Sequence, residues 1–189
     1  MHSLRFAAVT AALSLASVSF AQEDLASVDK PAPTFRLPVY NAVAMGEPNA
    51  GMIGIDRYTG PDTQDKKTKL VVVSFMASFC GPCKKEMPYL QSLHEKYKEQ
   101  GLRVMMVAID REEDGQKKVA ELIATNKVTF PVLKDRFNIV ARRWLGNQSP
   151  LPSLFMLRPD GTVKTVHRGY SEDASAILEK EVTAALTGK

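Results

Sequence analysis

The chain has 189 residues, 44% hydrophobic and 24% charged, a balance that fits one compact domain with a real core and excludes disordered or fibrous chains. Its formal charge of +4 is too mild an excess to point to nucleic acid. Only two cysteines occur, so a disulfide-stapled scaffold is excluded as well.

The first stretch departs from the rest. Met1 to Arg5 is short and basic, Phe6 to Phe20 carries no charge, and Ser19-Phe20-Ala21 puts small residues where a signal peptidase reads. Residues 1–21 are therefore expected to be a signal peptide, cleaved after Ala21 on export across the inner membrane to the periplasm. Its uncharged run falls short of the ~20 residues a spanning helix needs, so no stable membrane insertion is expected after cleavage. Residues 22–33 are polar with two prolines and read as an extended lead-in, and 34–189 as the domain itself.

Thr34–Val39 is a strand candidate. Tyr40–Asp65 is rich in Gly, Pro, Asn and Asp, interrupted by Met52–Tyr58, which predicts a hairpin with a long loop. Leu70–Phe75 is β-branched without polar alternation, the pattern of a central strand covered on both faces. From Pro82 the period changes: Met87, Leu90, Leu93 and Tyr97 recur at helical steps and Gly101 closes the segment. Arg103–Ile109 is a second buried-type strand. Asp114–Asn126 predicts a helix capped by Asp114, Thr129–Leu133 a short strand, and Arg136–Leu145 a helix ended by Gly146. Ser153–Leu157 and Thr162–His167 flank Arg158-Pro159-Asp160-Gly161, a tight hairpin turn. Ser171–Leu186 closes the chain as a helix capped by Ser171, with Ala174, Ile177, Leu178, Val182 and Leu186 inward. The order describes an α/β sandwich whose parallel strands end in an antiparallel pair.

Cys80 and Cys83 lie between the first buried strand and the first helix. A disulfide across so short a loop constrains the unfolded chain very little, which makes a structural staple the weaker reading. Thiol exchange needs a thiolate, and a helix N-terminus favours one through unpaired N–H groups and the macrodipole. Cys80 is then the candidate nucleophile and Cys83, one turn in, the candidate resolving thiol. Gly81 and Pro82 shape the loop, glycine permitting close approach of another chain and proline rigidifying it. The rival reading is a metal site completed by His94 and His167. His94, however, lies roughly 16 Å along the helix from Cys83 at the usual rise per residue. Both histidines are taken as ordinary surface or edge residues, and neither a metal nor a cofactor is expected.

The segment Ser74-Phe75-Met76-Ala77-Ser78-Phe79-Cys80-Gly81-Pro82-Cys83-Lys84-Lys85-Glu86-Met87-Pro88 resembles the active-site segment of the thioredoxin superfamily, in its exported TlpA and ResA branch. Pro31-Ala32-Pro33-Thr34-Phe35 and Leu151-Pro152-Ser153-Leu154-Phe155-Met156-Leu157 are similar to that branch's entry segment and cis-proline loop. The resemblance implies a thioredoxin-like three-layer sandwich: a mixed central sheet with flanking helices, an N-terminal hairpin and a central αβ insertion. It implies a redox-active disulfide between Cys80 and Cys83, a cis Pro152 facing the pair rather than Pro150, backbone contacts from Leu151 to substrate, and a helix kinked at Pro88. Phe79 stands where the family usually has Trp and is expected to cover Cys80. Ser74 stands where thioredoxin has a buried Asp, leaving Glu86 as the candidate for proton transfer. The alternative for Glu86 is a helix-surface glutamate.

The expected activity is thiol-disulfide oxidoreduction: reduction of disulfides in exported proteins, apo-cytochromes c among them, with a membrane thiol reductant as electron donor. The alternatives are a peroxiredoxin-like thiol peroxidase and a copper- or metal-binding module using the same pair.

Overall fold

The computed structural model describes residues 25–63, 65–169, 171 and 173–188, and the expected signal peptide lies outside them. Five strands form the central sheet in the order β5-β4-β3-β6-β7. The central strand β3 (Leu70–Met76) is buried along its whole length, as its lack of polar alternation leads one to expect. It pairs in parallel with β4 (Leu102–Ala108), which pairs in parallel with β5 (Val132–Lys134). On the other side β3 pairs antiparallel with β6 (Ser153–Leu157), and β6 with β7 (Val163–Arg168) through the predicted hairpin, where Gly161 takes a φ of +90°. A separate antiparallel hairpin joins β1 (Arg36–Pro38) to β2 (Met52–Gly54), followed by a single 3-10 turn, Ile55–Arg57.

The steps from β3 to β4 to β5 run in one direction, so right-handed crossovers put both connecting helices on one face. These are α1 (Gly81–Tyr97) and α2 (Glu113–Thr125), joined where the Asn126 amide meets the Met87 sulfur at 3.7 Å. The C-terminal helix α4 (Ala174–Thr187) packs beside α1 on that face, with Lys96 and Tyr97 both reaching Glu179. The opposite face is covered by α3 (Ile139–Leu145), whose Trp144 is fully buried. Its ring lies 5.7, 5.6 and 5.0 Å from those of Phe35, Phe75 and Phe155, and its indole N–H donates to the Pro33 carbonyl.

Several element boundaries differ from the sequence-based expectations. The residue capping α2 is Glu112, and Asp114 falls in the first turn. The predicted strand at Thr129 begins at Val132, because Thr129 is drawn toward α1 by Gln91 and Glu95 and Pro131 has no N–H to pair. Helix α3 starts at Ile139 rather than Arg136, because the Asp135 carboxylate accepts the N–H groups of Ile139 and Ala141 and sets the first turn there. Helix α4 starts at Ala174 with Asp173 before it, not with Ser171 as cap, and Ile177 is 47% exposed while Leu178, Val182 and Leu186 are buried. Helix α1 runs unbroken through Pro88.

Candidate active site

Strand β3 ends at Met76 and the chain turns through Ala77, Ser78 and Phe79 into α1. Cys80 is the N-cap of that helix: its backbone is extended, and its sulfur accepts the Cys83 N–H at 3.2 Å. Pro82 sits in the first turn, where a missing N–H costs nothing. No acid occupies that turn, and Lys84 and Lys85 stand exposed beside it, so the positive end of a 17-residue helix faces the Cys80 sulfur unopposed from its own turn. Cys80 and Cys83 are joined as a disulfide with Cα atoms 5.3 Å apart. Cys80 retains 8% of its surface and Cys83 none. Phe79, expected as a cover for Cys80, instead projects into solvent at 76% exposure.

The register of β6 explains how residues distant in sequence reach the pair. Ser153 pairs with Phe75, so the chain just before β6 arrives at the end of β3 from which Cys80 departs. Leu151 and Pro152 are in that segment, joined by a cis peptide bond, with Pro152 buried and Leu151 partly exposed. The Pro152 carbonyl is taken by the Gly169 N–H at 2.8 Å.

Glu86 lies three residues beyond Cys83, on the same helix face. Its carboxylate accepts the Ser74 hydroxyl at 2.6 Å, in a part-buried position. Burial pushes the Glu86 carboxyl above its ordinary value, while the Ser74 hydrogen bond and the nearby His167 pull the other way. Ser74 and Glu86, on different elements, are thus brought together beside Cys83, and the helix-surface alternative for Glu86 does not describe its surroundings.

Sequence reasoning missed Asp110. This buried acid follows β4 and receives the Ser78 N–H at 3.1 and 3.0 Å and the Ser78 hydroxyl at 2.5 Å, tying down the turn that carries Cys80. A side chain on Gly115 would meet the same carboxylate at 2.6 Å and force it off the Ser78 turn. The signal was an acid placed directly after an apolar strand. Tyr40 also faces this region, its hydroxyl buried without a partner and pushed up to about 12 by burial first and the Asp110 charge second.

His167 lies on β7, the edge strand of the sheet, in keeping with its expectation as a surface or edge residue, and His94 departs from it. His94 is partly buried far down α1, edge-on to Phe130 with its Nδ1 unpartnered, and burial lowers its proton affinity. His167 bonds the Glu181 carboxylate through Nε2 at 2.8 Å. A cavity of about 540 Å³ is lined by Tyr58, His94, Arg103 and other residues toward the far end of α1, and none of the cysteine-site residues borders it. Among the described residues no helix is long and apolar enough to cross a membrane.

A mixed five-stranded sheet, a cysteine pair at the mouth of the first crossover helix and a cis proline at the same end of the sheet define a thioredoxin-like protein. A model of the AhpC/TSA family matches residues 28–166, and the chain belongs to that family. The chain is 34% identical over 105 residues to the thiol-disulfide oxidoreductase ResA of Oceanobacillus iheyensis, covering 56% of this chain and 52% of that one. It is 31% identical over 142 residues to ResA of Bacillus subtilis, covering 69% of this chain and 75% of that one. It therefore spans about half the length of the first relative and three quarters of the second. Among solved structures, a putative thiol:disulfide interchange protein DsbE from Chlorobium tepidum is similar over 85% of this chain and 99% of its own, at 25% identity and a TM-score of 0.68.

Proposed function

We propose that this protein is an exported thiol-disulfide oxidoreductase that reduces disulfides in other exported proteins, apo-cytochromes c among them, and is itself returned to the dithiol by a membrane thiol reductant in the periplasm. The observation that carries the reading is the asymmetry of the pair: Cys80 retains access at the helix mouth and Cys83 has none. A partner disulfide can be reached by one sulfur only, and the helix end favours the charge on that sulfur.

In the reduced protein, the Cys80 thiolate attacks a substrate disulfide, forming a mixed disulfide and expelling one substrate thiolate. Leu151 offers its main chain to the extended substrate, and Pro152 closes the site against the pair. Glu86 takes the Cys83 proton, and the Cys83 thiolate then attacks Cys80. The Cys80–Cys83 bond forms, the second substrate sulfur leaves as thiolate, and two electrons pass from protein to substrate. The similarity to thiol-disulfide oxidoreductases of the ResA type supports this chemistry.

Replacing Cys83 with Ala in the exported protein tests it, because the mixed disulfide then has no resolving thiol. Substrate proteins joined to Cys80 and released by reductant are the expected result; none trapped while Cys80 remains alkylatable sinks the reading. The reduction potential gives the direction. A value near thioredoxin's ~-270 mV agrees with reduction, and one near ~-120 mV would reverse it. Rapid peroxide turnover without insulin reduction would favour the peroxidase alternative.

A further inference from the structure

From Arg136 to Pro159 the chain carries no Asp or Glu, and this run supplies both α3 and the Leu151-Pro152 loop. Helix α3 turns its buried side, Trp144 included, to the sheet, and Ile139, Arg142 and Arg143 share the other side at i, i+3 and i+4 spacing. Arg136 and Phe137 precede the helix, the guanidinium 5.7 Å from the centre of the ring. Phe137 is 66% exposed and Ile139 54%. Two of the arginines are bonded to neutral oxygens, Arg142 to the Phe137 carbonyl and Arg143 to the Thr34 carbonyl, both at 3.1 Å. Among the described residues none of Arg136, Arg142 and Arg143 forms an ion pair. Asp135, the nearest acid in sequence, is buried with its carboxylate turned to the Ile139 and Ala141 N–H groups. It offsets part of the positive charge without filling the guanidinium forks.

This patch begins at the end of the sheet where the cysteines sit. The Met76 carbonyl that closes β3 accepts the Ile109 N–H, and the Ala108 carbonyl accepts the Asp135 N–H. Cys80 follows Met76 by four residues and Phe137 follows Asp135 by two, so the two segments leave β3 and β5 two strand spacings apart, about 10 Å. We propose that Arg136, Arg142 and Arg143, together with Phe137, form a docking surface for an acidic segment of the disulfide substrate, a few residues from its reacting cysteine. The inference rests on the thiol-exchange reading of Cys80 and names the class of substrate that site accepts. An extended chain advances ~3.3 Å per residue, so carboxylates three or more residues from the cysteine span the distance. Each guanidinium fork takes a carboxylate in a bidentate pair, and Phe137 adds an apolar anchor among the charges. Exposed pairs are individually weak, so the surface selects among substrates rather than binding any of them tightly. Anionic lipid would satisfy the same charges, but a bilayer pressed on this end of the sheet would cover the mouth at Cys80, which favours a polypeptide.

The experiment offers the reduced protein two synthetic peptides with the same disulfide, one flanked by Asp and Glu and the other by Asn and Gln. Wild type is compared with a triple variant, Arg136→Gln with Arg142→Gln and Arg143→Gln. Wild type reduces the acidic peptide about five- to tenfold faster in kcat/KM at low salt, chiefly through KM, and the ratio falls toward one as salt rises. The triple Gln variant gives a ratio near one at every salt concentration, whereas Lys at the same three positions keeps most of the preference. Because the readout is a ratio within one protein, a poorly folded variant loses both rates without mimicking the result. A wild-type ratio of one, or a preference that survives in the Gln variant, overturns the proposal. NMR titration of the oxidised protein with an acidic peptide lacking cysteine reads docking without chemistry, with backbone shifts expected at Phe137, Ile139 and Arg143; unmoved resonances there overturn it. Shifts without reduction of either peptide would leave the docking surface standing and sink thiol exchange, and reduction with neither shifts nor preference would do the reverse. Phosphatidylglycerol vesicles that bind wild type but not the Gln variant, with no discrimination between the peptides, would assign the arginines to a lipid surface instead.

Discussion

The two faces of β3 carry different chemistry on adjacent residues. Ser74 looks toward α1 and α4, into a polar seam formed with Glu86. Phe75 looks toward α3, into a closed aromatic cluster with Trp144 and Phe155. Because successive side chains on a strand face opposite ways, one strand supplies a rigid floor and a titratable wall without either intruding on the other. The aromatic face is packed from rings, with Arg168 lying over the Phe155 ring. The polar face accepts a carboxylate whose burial costs stability, and that cost is what sets its proton affinity.

The sharpest test of this division is Trp144→Ala. Truncating a fully buried indole that packs on three rings and donates to the Pro33 carbonyl should cost about 3–5 kcal/mol in denaturant unfolding. The Cys80–Cys83 potential in the protein that stays folded should not change. A change in potential comparable to that seen on altering the polar face would break the comparison.

Asp110→Ala comes next, because it acts at the edge where the two faces meet. It strands the Ser78 N–H and hydroxyl in a buried turn, at roughly 1–3 kcal/mol for an unsatisfied group. Asp110→Asn keeps an acceptor and should recover more than half of the loss. Unfolding midpoints at fixed slope decide it, and equal losses for Ala and Asn would mean that charge, not the hydrogen bonds, holds the turn.

Glu86→Gln has an effect whose sign depends on pH. The native carboxyl has a raised pKa, so the folded state binds the proton more tightly than the unfolded chain does. The wild type therefore loses stability as pH climbs from the ordinary glutamate range through the raised native value, and keeps that deficit above it. Glu86→Gln should be the more stable protein at neutral pH, with the advantage vanishing below the ordinary glutamate range. Thermal unfolding at a series of pH values reads this directly, and a gain that grew toward acid would contradict it.

How far these features could be read in advance follows the length of the interaction. The Cys80–Cys83 segment, the buried β3 and the Asp160-Gly161 hairpin rest on neighbouring residues, and their placement agrees with the sequence reading. Glu86 and Pro152 were reached through family resemblance, because the motif around each is contiguous. Asp110 was missed, since it acquires its meaning from a partner on another element, a turn 32 residues earlier. The start of α3 failed for a related reason. The apolar period ran back to Arg136, but the Asp135 carboxylate and the left-handed backbone of Asn138 delay the first turn. In α4 the period placed both Ile177 and Leu178 inward; Leu178 is buried as expected, and Ile177 is 47% exposed.

The smallest expected effect sharpens the comparison most. Ser74→Ala removes one hydroxyl from the polar face and leaves the backbone pairing of β3 with β4 and β6 untouched. Its cost in stability should be about 1 kcal/mol or less, because a single hydrogen bond is lost and the remaining partner, Glu86, can take up a proton. That proton is the informative part. The Ser74 hydroxyl donates to the ionised carboxylate and so holds the Glu86 pKa down against burial. Without it the Glu86 midpoint should rise further, and the pH profile of the resolving step should move with it. Phe75→Leu, one residue along on the other face, should reverse the pattern, with a larger loss of stability and an unmoved Glu86 titration. If both substitutions shifted the titration alike, the seam and the aromatic floor would be one coupled unit, and the independence of the two faces would be wrong.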